Sequence, residues 1–245
     1  MFARTERKKA RLLDLVTTVL ELVRDGKRDP DQVSGALQRI KENPNFAEAT
    51  ASVIKEKQTR PGQSVRAMLR AWQTLYRQEF GIELDISKIQ PPKRVPGIDW
   101  LIVVAKGLTL NQIVQVLRKH MSVWTCTNNL NSITSVRNTG ETYAIWVRDR
   151  QEADEELKNK SANDLAKEQI NGIALEERLL LELKYFLETN KHLDEKNWTL
   201  CAGSRYPDGS VPCVDWGPIG RWLGVGWYGP GSASGDLRAR AVVSV

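Results

Sequence analysis

The stretch Val211-Pro-Cys-Val-Asp-Trp-Gly-Pro-Ile-Gly-Arg-Trp-Leu-Gly-Val-Gly-Trp-Tyr228 decides the fold class. Val211 to Trp216 and Trp222 to Trp227 are short runs of aromatic and β-branched residues broken by Gly and Pro, the pattern of strands, not helices. Around them, Trp198 to Cys201 and Ala241 to Ser244 read as further short strands. Pro207-Asp-Gly209 and Tyr228-Gly-Pro-Gly231 read as turns. Trp198 to Val245 holds four of the eight Trp and nine of the seventeen Gly. Such crowding of apolar bulk with backbone turns predicts a compact β module. It is not a catalytic signature.

Working outward, the periodicity becomes helical. Ile173 to Asn190 carries Leu175, Leu179, Leu180, Leu183, Phe186 and Leu187 at helical spacing. Upstream of it, Trp100 to Ala105 reads as a strand, followed by Thr109 as N-cap of an amphipathic helix. Val123 to Thr127, Ser132 to Val136 and Thr142 to Val147 give three more expected strands, the last two joined as a hairpin through Asn138-Thr-Gly140. The acidic run Asp149, Glu152, Asp154, Glu155 and Glu156 is expected to be helical or loop-like.

The front of the chain reads as four helices, starting near Thr5, at Asp29-Pro30, at Phe46 and at Ser64, the last ending at Gly81. Lys88 to Gly97 then carries three Pro and three basic residues and is the expected boundary. The fold expected is α+β: a basic helical domain, 1–90, followed by an α+β domain, 96–245, ending in the Trp- and Gly-rich module.

Composition narrows the function classes. With 41% apolar and 27% charged residues among 245, the chain is a folded globular protein. Neither a run of eighteen apolar residues nor a secretory leader is present, so a cytoplasmic location without a membrane partner is expected. Three Cys, an odd count without metal-ligand spacing, fit a reducing compartment, although Cys201 and Cys213 could face each other across a hairpin. No cofactor or metal is expected. His120 and His192 lack a recognisable nucleophile or ligand set, and successive carboxylates on a helix diverge instead of converging on a metal. No constellation assigns a reaction, so the sequence leaves open whether the chain is an enzyme.

The net charge is +6, and residues 1–97 carry 19 Lys and Arg against 12 Asp and Glu. Arg4, Arg7, Lys8, Lys9 and Arg11, joined by Arg66, Arg70 and Arg77 on one face of the fourth helix, form the candidate phosphate-contacting set. The first expectation is therefore a non-enzymatic nucleic-acid-binding protein. The second is an enzyme or a protein binding a small sugar or nucleotide in the C-terminal domain, with Trp222, Arg221, Arg205 and Asp208 as ligand contacts, since these residue types stack on rings and bond their edges. The third is a protein-interaction module using the front helices. Trp216 and Trp227 are expected in the core of the small sheet, with Trp222 partly exposed.

The blocks Trp146 to Leu157, Leu179 to Phe186 and Leu200 to Arg205 resemble segments of uncharacterised bacterial proteins over about the last 100 residues. The resemblance implies no activity and transfers no site.

Overall fold

The computed structural model describes residues 16–26, 29–31, 33–34, 63–137, 140–217 and 219–244. The chain parts into two compact units, Met1–Thr59 and Arg60–Val245. In the first, residues 16–24 are helical, and the turn after them places Gly26 at φ 69°, where a side chain would be strained. Asp29 Oδ1 accepts from Asp31 N at 2.8 Å, the capping expected of Asp29-Pro30. The third helix, Phe46 to Lys57, and most of the second lie outside the described residues.

The helix expected from Ser64 to Phe80 forms, but it belongs to the second unit. Ser64 caps helix α1 (Val65–Leu75), its Oγ accepting from Ala67 N at 3.2 Å, and a π-helical turn, Tyr76–Phe80, carries it to Gly81. Trp72 and Tyr76 are fully buried against strand β1 (Trp100–Val104). Trp72 Nε1 donates to Leu101 O at 2.8 Å, and Tyr76 OH donates to Val103 O at 2.8 Å while accepting from Ala105 N at 3.1 Å. The expected separation after Gln90 is thus not where the compact units part. Nor is Lys88 to Gly97 a free linker: Ile89 is buried, Trp146 Nε1 donates to Pro92 O at 2.8 Å, and Arg94 pairs with Asp99 at 2.8 Å. Proline removes amide donors but keeps its carbonyl, so a Pro-rich segment can be held by side-chain donors.

The fold is α+β. Strand β1 pairs antiparallel with β4 (Tyr143–Val147) as a buried ribbon. Helix α2 (Leu110–His120), opened by a Thr109/Gln112 capping box, packs with the long helix α4 (Leu175–Thr189), which also lies against β1. Short α3 (Ala162–Lys167) starts at a Ser161/Asp164 box. The hairpin expected through Asn138-Thr-Gly140 does not form. Strand β3 (Thr134–Ser135) pairs instead with β6 (Ser204–Arg205), because Trp100–Val104 offers β4 a longer apolar partner.

The Trp- and Gly-rich module is a five-stranded mixed sheet in the order β2 (Ser122–Thr125), β8 (Trp222–Tyr228), β7 (Val211–Gly217), β5 (Trp198–Leu200), β9 (Leu237–Ala239). Strands β7 and β8 form an antiparallel hairpin, while β2 joins β8 and β9 joins β5 in parallel. The expected strand Ala241 to Ser244 is reduced to isolated bridges at Ala241 and Val243. One sheet face, with Val214, Leu223, Val225 and Trp216, joins the main core. One end of the other face is filled by Leu200, Val211, Cys213, Leu237 and Ala162. The rest of that face is open.

Candidate functional site

The open part of the sheet is a trough of about 800 Å³. The strand register sets its layout. Trp124 on β2 is level with Gly224 on β8, and Gly224 is level with Asp215 on β7. The pairing of Thr199 with Val214 puts Trp198 of β5 level with Asp215. One row across four strands therefore reads Trp124, Gly224, Asp215, Trp198, which places the backbones of the two Trp three strand spacings, roughly 14 Å, apart. Glycine at 224 and 226 supplies a floor without side chains, and a Cβ at Gly224 would lie 2.7 Å from Asp215 Oδ1.

Four indoles line this floor. Trp124 is 55%, Trp222 45%, Trp227 60% and Trp198 39% exposed, far from the burial usual for so large an apolar side chain. Tyr228 packs on Trp198 with ring centroids 5.4 Å apart. The Trp222 ring lies on Gly220, where a Cβ would come within 1.7 Å of Cζ3, so the turn into β8 needs glycine at that position.

Asp215 is the one charged residue in the lining. Among the described residues nothing hydrogen-bonds or ion-pairs with its carboxylate, and burial pushes its pKa up from the ordinary aspartate value, against the pull of Arg178. Arg178 cannot neutralise it, being committed behind the sheet. Its guanidinium donates to Glu182 at 2.9 Å and to Asp194 at 3.0 Å, while Arg240 holds the second Asp194 oxygen at 2.6 Å. All four side chains are fully or almost fully buried. His192 bonds Glu182 at 2.9 Å and stacks on Trp216, ring centroids 3.3 Å apart and planes within 5°. This network fixes the underside of the strand that presents Asp215.

Cys126 and Cys213 also reach the trough, and all three cysteines are free thiols. Cys126 Sγ lies 3.2 Å from Tyr206 OH. Burial pushes the Cys213 thiol up to about 12, which leaves it a small apolar surface. Among the described residues no group of three or more His, Cys, Asp or Glu is arranged to hold a metal ion. No described helix is long and apolar enough to cross a membrane.

A second polar cluster sits at the start of α4. Ser135 Oγ donates to Glu176 Oε1 at 2.5 Å, Tyr143 OH donates to the same oxygen at 3.2 Å, and Arg137 Nε donates to Glu177 Oε1 at 2.9 Å. Burial pushes the Glu177 carboxyl up to about 7, outweighing the attraction of Arg137. Glu177 also accepts from Ala174 N at 2.7 Å, which makes it the N-terminal clasp of the helix.

The residues singled out in the sequence are dispersed. Of Trp222, Arg221, Arg205 and Asp208, Trp222 alone lines the trough. Arg205 donates to the carbonyls of Ala202 at 2.8 Å and Ser204 at 2.7 Å, Asp208 accepts from Ser210 within its turn, and Arg221 takes φ 54° beside the β7–β8 connection. Trp216 is in the core at 9% exposure, but Trp227 is not, contrary to expectation. Strand β2 ends level with Val225, so residues 226 to 228 have a strand neighbour on one side alone, and the Trp227 side chain is left largely in solvent. Arg66 and Arg70 are exposed on α1, whereas Arg77 is tied to Glu83 at 2.7 Å. Arg4, Arg7, Lys8, Lys9 and Arg11 lie outside the described residues. Asp215 was among the residue types suited to bond a ring's edge, but Trp124 and Trp198 were missed, because their convergence on it depends on strand pairings such as the parallel pairing of β2 with β8, which no local pattern encodes. No family model, no curated protein and no solved structure matches the chain.

Proposed function

We propose that the chain is a carbohydrate-binding protein and that the Trp trough is its binding site. The observation that carries this reading is the convergence of four solvent-reaching indoles on a glycine floor holding one unpaired acceptor. Indole faces stack on the apolar C–H faces of a pyranose, and a carboxylate accepts from its hydroxyls. A cleft with aromatic walls and few convergent polar groups is the usual form of a small-ligand site. A nucleic acid fits the lining less well, since a phosphate would meet Asp215 with no Lys or Arg beside it. Titration of the native Trp emission with tri- and tetrasaccharides of glucose, N-acetylglucosamine and glucosamine tests the reading. A saturable change is expected with at least one of them, lost in Trp222→Ala and Trp124→Ala. A flat response to all three series, also silent by calorimetry, overturns it.

A second reading, nucleic-acid binding by the front of the chain, retains one supporting observation. Arg66 and Arg70 are exposed one helical turn apart on α1, and no described residue pairs with either. This reading expects salt-steep binding of duplex or single-stranded DNA that survives Trp222→Ala and weakens in Arg66→Ala/Arg70→Ala. Fluorescence anisotropy at about 50 mM salt checks it, and undetectable binding there removes it.

A further inference from the structure

We infer that the ring bound in the trough carries a protonated amine, so that the ligand is an amino sugar whose ammonium sits on Asp215 between the indoles of Trp124 and Trp198. The inference rests on the carbohydrate reading and sharpens it through charge. The buried ions behind the sheet cancel among themselves: Arg178 and Arg240 face Asp194 and Glu182, two cations against two anions. The pull of Arg178 on Asp215 is opposed by Asp194 and outweighed by burial. The Asp215 carboxylate, partly withdrawn from water, is the sole formal charge in the lining. Trp222 turns its Nε1 edge toward the same point over Gly224 that Asp215 Oδ1 faces, while the faces of indoles carry the negative side of the aromatic quadrupole. The carboxylate therefore sets a negative potential in an aromatic-walled cleft with no cation beside it, which suits a cationic ligand.

A neutral sugar would satisfy Asp215 only by ordinary hydroxyl bonds and would leave the carboxylate's charge uncompensated in a partly dry site. An ammonium supplies both the charge and the donors, and charge-assisted bonds are about twice as strong as neutral ones. An indole within reach adds cation–π attraction on the same group. Attraction to the molecule as a whole cannot mimic this preference, because the chain carries a net charge of +6 and repels cations at long range. Gly224 is part of the device. With no Cβ it leaves Asp215 Oδ1 its position over the floor, which a methyl group at 224 would contest at 2.7 Å.

The test compares three tetrasaccharides on the full chain, of glucosamine, of N-acetylglucosamine and of glucose, at slightly acid pH and moderate salt. Tetramethylammonium is titrated as a fourth ligand. The glucosamine oligomer is expected to bind at least about tenfold more tightly than either neutral oligomer. In Asp215→Asn, with folding checked by thermal melting, that preference is expected to collapse to within about twofold while residual stacking affinity remains. Equal affinities for the three oligomers in the native protein would overturn the amino-sugar inference and leave the carbohydrate reading standing. Retention of the glucosamine preference in Asp215→Asn overturns the role given to Asp215. Binding of tetramethylammonium with no response to any glycan overturns both readings at once and makes the trough a site for quaternary amines.

Discussion

At the scale of single residues, the two tryptophans at the ends of one expectation separate cleanly. Trp216, buried and stacked on His192, fills volume that no neighbour can reach. Trp216→Ala is expected to cost about 3 to 5 kcal/mol in chemical denaturation, the range for emptying a large aromatic site. Trp227, mostly in solvent, is expected to change the melting temperature little on truncation while lowering ligand affinity. Asp215 belongs to the opposite class, a residue kept against stability. Its carboxyl is raised by burial, so the folded state holds the proton more tightly than the unfolded one. Stability from this group is then present at acid pH and lost as pH rises through the folded pKa. Asp215→Asn is accordingly expected to melt no lower than the native protein at neutral pH, with binding impaired. A clear loss of melting temperature would mean that the carboxylate has a structural partner. Polar groups that weaken the fold yet converge on a cleft mark functional positions.

At the scale of elements, helix α4 shows how far the sequence could be read. Its apolar spacing announced the helix, but not that Glu176, Glu177, Arg178 and Glu182 would be buried with it. Charged residues at helical positions ordinarily face solvent. They are inside here because Asp194, Arg240 and Arg137, distant in sequence, arrive to pair with them. Most of the short strands were legible from composition, though not β6 or β9, and so were the helix start at Ser64 and the capping residues Thr109 and Asp29. Pairings were not legible: β2 beside β8 joins residues about 100 apart in sequence, and β9 is only Leu-Arg-Ala in a polar context. Half of the trough was therefore visible, as Trp222, while its opposite wall was not. Two measurements follow from the buried charges. Asp194→Asn leaves Arg178 and Arg240 under-compensated and is expected to cost about 3 to 5 kcal/mol. Glu177, at about 7 when folded against an ordinary 4.5, makes stability fall as pH rises from about 4.5 to about 7, by about 3 kcal/mol across that window. Glu177→Gln should lower stability overall yet flatten that slope in melts run through the window, and an unchanged slope would refute the assignment.

At the scale of the whole molecule, the position of the unit boundary decides what can be cut away. Residues 1–59 carry 12 Lys and Arg against 9 Asp and Glu, which leaves 24 against 21 for the remainder, so the excess charge divides evenly once the parting lies at Thr59. A boundary in the Pro-rich segment would have assigned all of it to the front. The structural argument for Thr59 rests on α1, whose Trp72 and Tyr76 are fully buried on β1 and hydrogen-bonded to its carbonyls. Removing them would strip one side of the central ribbon, exposing Leu101 and Val103, and would leave three buried backbone groups, Leu101 O, Val103 O and Ala105 N, without those side-chain partners. The chain beginning at Arg60 is therefore expected to fold cooperatively, with the melting temperature of the full protein's second unit and undiminished glycan binding. The chain beginning at Pro96 is expected to be aggregated or to lack a cooperative melt. Limited proteolysis supplies the independent check: Lys88, Lys93 and Arg94 flank a segment pinned by Ile89, Pro92 and the Arg94–Asp99 pair, so trypsin should spare it under native conditions. Early cleavage there, or a stable fragment starting at Pro96, would move the boundary back to the prolines.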